Sequence, residues 1–228
     1  MKTIGLIGGM SWESTVSYYQ IINETIKEQL GGLHSAKIIL YSVDFAEIEE
    51  QQSEGEWDKV AVILADAAMC LEQAGADYIV ICSNTVHKVV PYIQKEIKIP
   101  VIHIAETTAE VLKKNKVKKA GLLGTKYTMT EDFLKEKIEL SGIEVIIPDE
   151  KDIETVNDII FDELCLGKIR DESRRECIRI IDSLKAAGAE GVILGCTEIG
   201  LLISQEDSPI PIYDTTQIHA NAVAMRAI

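Results

Sequence analysis

The sequence has none of the long apolar segments that mark a membrane protein. Its apolar runs are all far shorter than the roughly 20 residues that span a bilayer. The first residues, MKTIGLIGGMSWES, hold a short apolar stretch interrupted by glycines, which fits a first strand and turn better than a signal peptide. We therefore expect a cytoplasmic protein with no membrane partner.

Paired cysteines and positive charge are also scarce. The five cysteines are odd in number and show no C-x-x-C spacing, which argues against a disulfide framework and against a zinc site. Basic residues number 23 against 37 acidic ones, and the resulting net charge of −14 argues against nucleic acid as a partner. An anionic ligand would be repelled at long range, so its binding site would have to attract it locally.

What the sequence does contain is enough apolar material for a substantial core. With 228 residues and 46% hydrophobic content, the chain forms one large domain or two small ones of about 100 residues each. Two stretches look alike, AGADYIVICSNTVHKVV from Ala74 and AGAEGVILGCTEIGLLI from Ala187. Aligned on their first residues, they place Ser83 opposite Cys196. Each of these two side chains follows an apolar run typical of a strand.

Other segments of the two halves also match, such as TIGLIG at 3–8 and VKKAGLLG at 117–124. Each half contains four strand-like runs alternating with helical patterns, which predicts parallel sheets covered by helices on both faces. The predicted fold class is therefore α/β, with two pseudo-symmetric domains, each a sheet of about four strands, and an active site in the interdomain cleft. We expect residues 1–103 plus 211–228 to form the first domain and 104–210 the second. The predicted strands are 3–8, 36–43, 78–82, 99–102, 117–124, 143–147, 192–195 and 210–214.

Cys196 is the strongest candidate for a chemical role. It follows an apolar strand and Gly195 and precedes a polar turn, so we expect it at a strand end facing a helix N-terminus. Backbone N–H groups in that position would stabilise a thiolate and lower the thiol pKa from about 8.5. An inert buried cysteine is the alternative. The correspondence with Ser83 favours the functional interpretation.

Ser83 lies in the segment CSNTVH, which supports two interpretations. Ser83, Asn84 and Thr85 could be functional, or they could merely cap the helix that contains His87. Alternate strand residues point to opposite faces, so Cys82 is expected in the core rather than in the site. A serine hydroxyl is a poor base without a helper, and His87 is either that helper or simply a helix residue.

Four motifs together resemble a known family: SNT at 83–85, GCTE at 195–198, LIGGMSWEST at 6–15 and LLGTKYTM at 122–129. Over essentially its whole length, the chain resembles the aspartate/glutamate racemases, and most closely the bacterial L-aspartate/glutamate-specific racemases. The resemblance implies two pseudo-symmetric α/β domains with the active site between them and no cofactor. It also implies that most members use two cysteines, one per domain. One thiolate removes the α-proton of the amino acid while the opposite thiol protonates the other face.

The chain departs from that pattern at Ser83, where most members have cysteine and the resembled subgroup has threonine. Cys196 can then act as base on the enantiomer whose α-proton faces it, and Ser83 can return a proton to the other face. The reverse reaction would need serine as the base, which is far less favourable. We therefore expect a marked preference for one direction.

The remaining site residues are expected to bind an acidic amino acid, L-aspartate or L-glutamate. Hydroxyl, amide and strand-end N–H donors can hold carboxylates without a long-range positive field. The resemblance adds two positions that line the site in the subgroup. Two lysines are either cationic partners for the side-chain carboxylate of the substrate or ordinary surface residues. Glu198 could receive the substrate ammonium or hydrogen-bond the turn. The donors are Asn84, Thr85, Thr125 and Thr197, the lining positions are Met10 and Gln52, and the lysines are Lys126 and Lys168.

Two other functions remain open at this stage. A decarboxylase of substituted malonates with a single cysteine would also carry Cys196 without a partner thiol. A non-catalytic binding protein for an acidic amino acid would keep the binding residues and lack turnover. The sequence does not choose between aspartate and glutamate, since they differ by one methylene. A homodimer is the ordinary expectation for a chain of this class.

Overall fold

The computed structural model describes all 228 residues, which form two compact units. Unit 1 comprises Met1–Ile104 and His219–Ile228, and unit 2 comprises Ala105–Ile218. The chain passes from unit 1 to unit 2 after Ile104, close to the predicted boundary at residue 103. It comes back to unit 1 at His219, later than predicted, because the sequence prediction assigned residues 211–218 to the first domain.

Each unit contains one sheet of four parallel strands. The strand order is β2-β1-β3-β4 in unit 1 and β6-β5-β7-β8 in unit 2, so the two sheets share one topology and the predicted α/β fold class is confirmed. The strands are β1 (Thr3–Gly8), β2 (Lys37–Ser42), β3 (Tyr78–Ile81), β4 (Val101–Ile102), β5 (Lys119–Gly124), β6 (Glu144–Ile146), β7 (Gly191–Gly195) and β8 (Ile212–Asp214).

Helices connect the strands, as parallel pairing requires. No helix combines enough length with enough apolar character to cross a membrane. The helices are α1 (Trp12–Leu30), α2 (Phe45–Ser53), α3 (Trp57–Gln73), α4 (Val90–Glu96), α5 (Ile104–Lys114), α6 (Lys126–Thr130), α7 (Asp132–Glu139), α8 (Glu150–Asp158), α9 (Asp171–Ala186), α10 (Ile199–Leu202) and α11 (Thr215–Ala227). Short 3₁₀ turns at Thr85–Val89, Leu164–Leu166 and Gln205–Asp207 and a π-helical turn at Ile159–Glu163 complete the chain.

The sheet of unit 1 is buried on both faces, since alternate residues of its central strands join two separate apolar clusters. One cluster lies under α2, α3 and α4. The other lies under α1 and the end of α11, where small and β-branched residues recur at helical spacing. The buried strand residues of the first cluster are Ile7, Ile79 and Ile81, and those of the second are Ile4, Leu6, Tyr78, Val80 and Ile102, with Cys82 directly after β3.

Strand pairing explains why the predicted return to unit 1 was wrong. β8 is hydrogen-bonded to β7, with Val192 paired to Ile212 and Leu194 paired to Asp214. The segment therefore completes the second sheet, and only from His219 onward does α11 pack in unit 1. Ladder hydrogen bonds hold a strand in its sheet, and the sequence pattern did not show which strand this segment pairs with.

The sequence SWES at 11–14 predicts a helix N-cap at Ser11 or Ser14, and the first helix begins there. Ser11 is the N-cap of α1, and its hydroxyl accepts a hydrogen bond from the N–H of Ser14 at 3.4 Å. The helix predicted from His87 to Lys95 instead begins with the 3₁₀ turn Thr85–Val89 and continues as α4. Pro91 occupies the first turn of α4, where its missing N–H leaves no helical bond unmade.

The turn after β1 requires glycine at position 9. Gly9 has a φ of +97°, a backbone angle that L-residues with a side chain rarely adopt. A Cβ at this position would lie 2.2 Å from the carbonyl oxygen of Val43. The N–H of Gly9 donates to Oγ1 of Thr15 at 2.8 Å, which ties the turn to α1.

We predict that Gly9→Ala lowers the free energy of unfolding by about 3 kcal/mol or more, because backbone strain and overlap with a rigid carbonyl add together. Gly55→Ala is the matched control: its φ is +77°, yet a Cβ there meets nothing within 4 Å. The control should cost only about 1 kcal/mol. Calorimetric unfolding of both variants tests this, and equal losses would show that the close approach to Val43 is unimportant.

Candidate active site

The carboxyl edge of the sheet in unit 2 brings Thr125 and Cys196 together. Gly124 and Gly195 are paired at the ends of β5 and β7, so the next residue of each strand leaves the sheet at the same edge. A Cβ on Gly124 would lie 3.1 Å from the carbonyl oxygen of Gly195, and a Cβ on Gly195 would lie 3.1 Å from that of Leu123. The close strand ends therefore depend on glycine on both sides.

Cys196 lies in a hydrogen-bonded group with the two residues that follow it. Its thiol donates to Oε2 of Glu198 at 3.0 Å, and the Thr197 hydroxyl donates to the same oxygen at 2.6 Å. Cys196 and Glu198 are each only 7% exposed, whereas Thr197 is half-buried. The thiol proton is thus already directed at a carboxylate.

Burial raises the pKa of the Cys196 thiol well above its ordinary value, and the negative charge of Glu198 raises it further. This is the opposite of the lowered pKa that the sequence predicted. The helix expected after Cys196 is α10, a single short turn that begins after Glu198. The Glu198 carboxylate lies 3.0 Å from the sulfur, and no positively charged side chain offsets its effect on the pKa of the thiol. In the unliganded protein Cys196 is therefore a thiol.

Thr125 and Lys126 begin α6 at this edge. Oγ1 of Thr125 caps the helix by accepting from the N–H of Thr128 at 3.3 Å. Lys126 is exposed and its ammonium forms an ion pair with Glu154 of α8, which raises the pKa of the lysine. Its predicted role as a cationic partner for substrate is therefore not supported, because a carboxylate of the protein already holds it.

Lys168 lies in the loop after the 3₁₀ turn Leu164–Leu166. Its side chain is exposed, and its N–H donates to the carbonyl of Glu163 at 2.9 Å. The turn itself packs against α10, the helix that follows Cys196. This turn also carries Cys165, a half-buried residue near enough to Cys196 to influence its electrostatics.

Ser83 occupies the corresponding edge of the sheet in unit 1. The N–H of Cys82 donates to the carbonyl of Ile7 at 2.9 Å, so pairing with β1 continues one residue beyond β3, and Ser83 leaves the sheet next to Gly9. Cys82 is completely buried in the cluster under α1, which confirms its assignment to the core. Burial raises the pKa of its thiol far above the ordinary range.

His87 contacts the backbone of Ser83 rather than its hydroxyl. Nδ1 of His87 lies 2.7 Å from the carbonyl oxygen of Ser83, and Nε2 lies 3.2 Å from the N–H of Ile104. Both ring nitrogens therefore face main-chain partners. The interpretation of His87 as a base for the serine hydroxyl is not supported by this geometry.

The other predicted binding residues of unit 1 are mostly buried. Asn84 is 3% exposed and precedes the 3₁₀ turn without a side-chain capping bond, so the capping alternative for Asn84 is not observed. Thr85 is half-buried at the start of that turn. Met10 packs in the cluster under α3, and Gln52 lies on the buried side of α2.

Sequence reasoning missed two further buried histidines, His103 and His219. The first follows β4 at the carboxyl edge, and the second lies in α11 at the start of the return to unit 1. Their burial, 3% and 0% exposed, is unusual for a residue that carries two polar nitrogens. The chain has only four histidines, and the apolar sequence around His103 and His219 was the one feature that could have indicated their burial.

Residues 7–223 match the family described as Asp/Glu/Hydantoin racemase. The chain belongs to this family. The Asp/Glu/hydantoin racemase family thus accounts for nearly the whole chain, and the predicted family and the expectation of an amino-acid racemase are confirmed at the level of the family.

Three relatives show how far the similarity extends. A candidate Asp/Glu racemase from Yersinia pestis is 54% identical, with a TM-score of 0.94 and coverage of 100% of this chain and 99% of that one. PH1733, an aspartate racemase homologue from Pyrococcus horikoshii OT3, is 38% identical, with a TM-score of 0.87 and the same coverage of 100% and 99%. The broad specificity amino-acid racemase RacX from Bacillus subtilis (strain 168) is 24% identical over 220 residues, which span 93% of this chain and 92% of RacX.

We predict that alkylation of Cys196 by iodoacetamide is slow at pH 8, because a raised pKa leaves little of the reactive thiolate. Glu198→Gln removes the nearby negative charge, which lowers the pKa of the thiol, and should accelerate the reaction about tenfold. Mass spectrometry of the modified peptides separates Cys196 from the exposed Cys70, which serves as an internal standard.

Glu206→Gln, at an exposed acid of the same unit, is the matched control and should leave the alkylation rate unchanged. Slower or unchanged alkylation in Glu198→Gln would contradict the proposed electrostatic effect of that carboxylate on the thiol.

Proposed function

We propose that the protein racemises a small acidic amino acid, aspartate or glutamate, by removing its α-proton and returning a proton to the opposite face. In this proposal Cys196 supplies the base and Ser83 supplies the proton on the other face. The observation that carries the proposal is the hydrogen bond from the Cys196 thiol to Glu198 at the strand end of unit 2. Membership of the racemase family supports the reaction class.

Formation of the base follows from that hydrogen bond. Glu198 accepts the thiol proton, so that the neutral thiol and carboxylate become a thiolate and a carboxylic acid. The substrate ammonium then stabilises the thiolate, since opposite charges at close range favour the charged form. The raised pKa of the thiol is an advantage at this point, because a thiolate of high proton affinity is a stronger base toward a weakly acidic C–H bond.

The carboxylates of the substrate need local donors, because the net charge of −14 repels an anion at long range. We propose that the Thr125 hydroxyl serves this purpose beside Cys196, that the Thr197 hydroxyl joins it when it turns from Glu198 to the substrate, and that Asn84 and Thr85 serve it beside Ser83. Lys168 is the proposed cationic partner for the side-chain carboxylate. Its exposure and its loop's attachment to the turn that packs on α10 support this role.

Ser83 makes the two directions chemically unequal. A hydroxyl can protonate a carbanion and recover its proton from water, but as a base it must first lose a strongly held proton. Enantiomers have equal free energies, so kcat/KM must be the same in both directions. The asymmetry therefore affects kcat and KM separately, and it affects how often proton exchange occurs without inversion.

We predict that the protein exchanges the α-proton of L-aspartate or L-glutamate for deuterium in D₂O and forms the D-isomer, as followed by proton NMR. Cys196→Ala should abolish both processes, because it removes the base. Cys70→Ala is the matched control: Cys70 is exposed and has no proposed role, so this variant should retain wild-type rates.

Other outcomes distinguish the remaining functions. Release of CO₂ from substituted malonates without exchange of amino acids would identify a decarboxylase. Binding of an acidic amino acid without exchange would identify a non-catalytic binding protein. Either result would overturn the proposed racemase activity. The homodimeric state and the cytoplasmic location stay predictions, and light scattering of the purified protein tests the former.

We predict that Ser83→Ala separates exchange from inversion. Inversion should fall on the order of 10²-fold, the lower end of what general acid catalysis contributes. Exchange at the enantiomer whose α-proton faces Cys196 should continue, because the thiolate takes that proton, the thiol exchanges it with D₂O, and a deuteron returns from the same sulfur. Ser83→Thr, which keeps a hydroxyl, is the control and should retain inversion. Parallel loss of exchange and inversion in Ser83→Ala would contradict the assigned role.

A further inference from the structure

Three buried histidines form a cluster behind Ser83 in unit 1. His87 is 1% exposed, His103 is 3% exposed and His219 is completely buried. The ring centroid of His87 lies 4.6 Å from that of His103 and 5.8 Å from that of His219. Nothing in the proposed proton transfer uses any of the three rings.

The hydrogen bonds of His87 determine its tautomer. A backbone N–H can only donate, so Nε2, which faces the N–H of Ile104 at 3.2 Å, must be the acceptor. A carbonyl oxygen can only accept, so Nδ1, which lies 2.7 Å from the oxygen of Ser83, must carry the proton. His87 is therefore a neutral ring with its proton on Nδ1, and it bridges Ser83 and the start of α5.

His219 is held in the complementary tautomer. Its Nε2 donates to the carbonyl of Ile102 at 2.9 Å, and its Nδ1 accepts from the hydroxyl of Tyr18 at 2.8 Å. Burial, with a smaller contribution from the His87 ring, lowers the pKa of His219 to about 3. The ring of His219 beside His87 consequently stays uncharged at neutral pH.

The two peptide groups that flank Ser83 are each held by a side chain. The single hydroxyl proton of Ser14 is shared between the carbonyls of Ser11 at 2.9 Å and Cys82 at 3.2 Å, whereas His87 donates to the carbonyl of Ser83 itself. With both peptide planes fixed, only rotation about χ1 of Ser83 remains to direct its hydroxyl. The corresponding carbonyl of Cys196 instead accepts from a backbone N–H, that of Ile199 at 3.2 Å.

We propose that His87 is a positioning residue for Ser83: its Nδ1–H bond to the Ser83 carbonyl holds the peptide that aims the serine hydroxyl. The proposal rests on the proposed function of Ser83 as the proton donor. It assigns to His87 no proton transfer of its own. A small error in the direction of a donor reduces the rate strongly, so loss of this bond should impair the Ser83 step selectively.

Two substitutions separate the two bonds of the ring. The amide nitrogen of asparagine can take the place of Nδ1, so His87→Asn keeps a donor for Ser83 and loses the acceptor for Ile104. The longer glutamine places its amide near the position of Nε2, so His87→Gln keeps an acceptor for Ile104 and loses the donor for Ser83. Thermal unfolding and circular dichroism of both variants establish that each is folded.

The decisive measurement is inversion and exchange in D₂O, compared in the same sample. His87→Gln should lower inversion on the order of 10²-fold while exchange at the α-proton that faces Cys196 continues at the wild-type rate. His87→Asn should retain most of the inversion. The double variant Ser83→Ala with His87→Gln should invert no more slowly than Ser83→Ala alone, since both changes affect one step.

A purely structural role would reduce exchange and inversion in parallel in His87→Gln, and that result would overturn the proposal. So would equal inversion in the asparagine and glutamine variants. A second readout needs no activity: nitrogen-15 NMR should find the proton of His87 on Nδ1. The carbonyl carbon-13 shift of Ser83 should move in His87→Gln and stay in His87→Asn.

If the wild-type protein exchanges no acidic amino acid, the proposed function fails. The NMR measurements then still decide whether the hydrogen bond to Ser83 exists. A proton on Nε2 of His87, or an unchanged Ser83 carbonyl shift in His87→Gln, overturns the positioning role independently.

Discussion

Register between parallel strands is the constraint on which the rest of the candidate site depends. A sheet buried on both faces can present polar side chains only beyond its strand ends, and in parallel sheets the carboxyl ends share one edge. In unit 2 the pairing of Gly124 with Gly195 makes this edge exact to one residue, because Thr125 and Cys196 then leave adjacent strands together. A shift of one residue would turn Cys196 toward the apolar core, where a thiol is inert.

Burial and basicity oppose each other at Cys196. Removing the thiol from water and placing it beside Glu198 makes the thiolate less populated, yet it also makes any thiolate that forms a stronger base. A carboxylate that accepts the thiol proton resolves this opposition only if a positive charge arrives with the substrate. In the proposed reaction the ammonium group of the amino acid brings such a charge, so substrate binding would change where the proton lies.

The two units share a strand order but hold Ser83 and Cys196, the residues proposed for proton transfer, differently. The Cys196 carbonyl is held by a backbone N–H within a tight turn, and the Ser83 carbonyl is held by a histidine that belongs to a buried cluster. That cluster includes His219 of α11, so the last helix of the chain supports the edge that carries Ser83. Similar topology is therefore compatible with different local chemistry at corresponding positions.

The sequence by itself determined the strands, the α/β class and the equivalent positions of Ser83 and Cys196 in the two halves. These follow from local periodicity and from a repeated pattern that any alignment of the halves reveals. It also narrowed the N-cap of α1 to Ser11 or Ser14, since capping is a short-range hydrogen bond, and the structure shows Ser11. Only the tertiary structure decided the direction in which the pKa of Cys196 shifts, the main-chain partners of the His87 ring and the membership of β8 in the second sheet. The desolvation of Cys196 depends on the packing around it, and the bond of His87 to Ile104 and the ladder bonds of β8 join residues about 20 apart in the chain, so local sequence patterns do not reveal them.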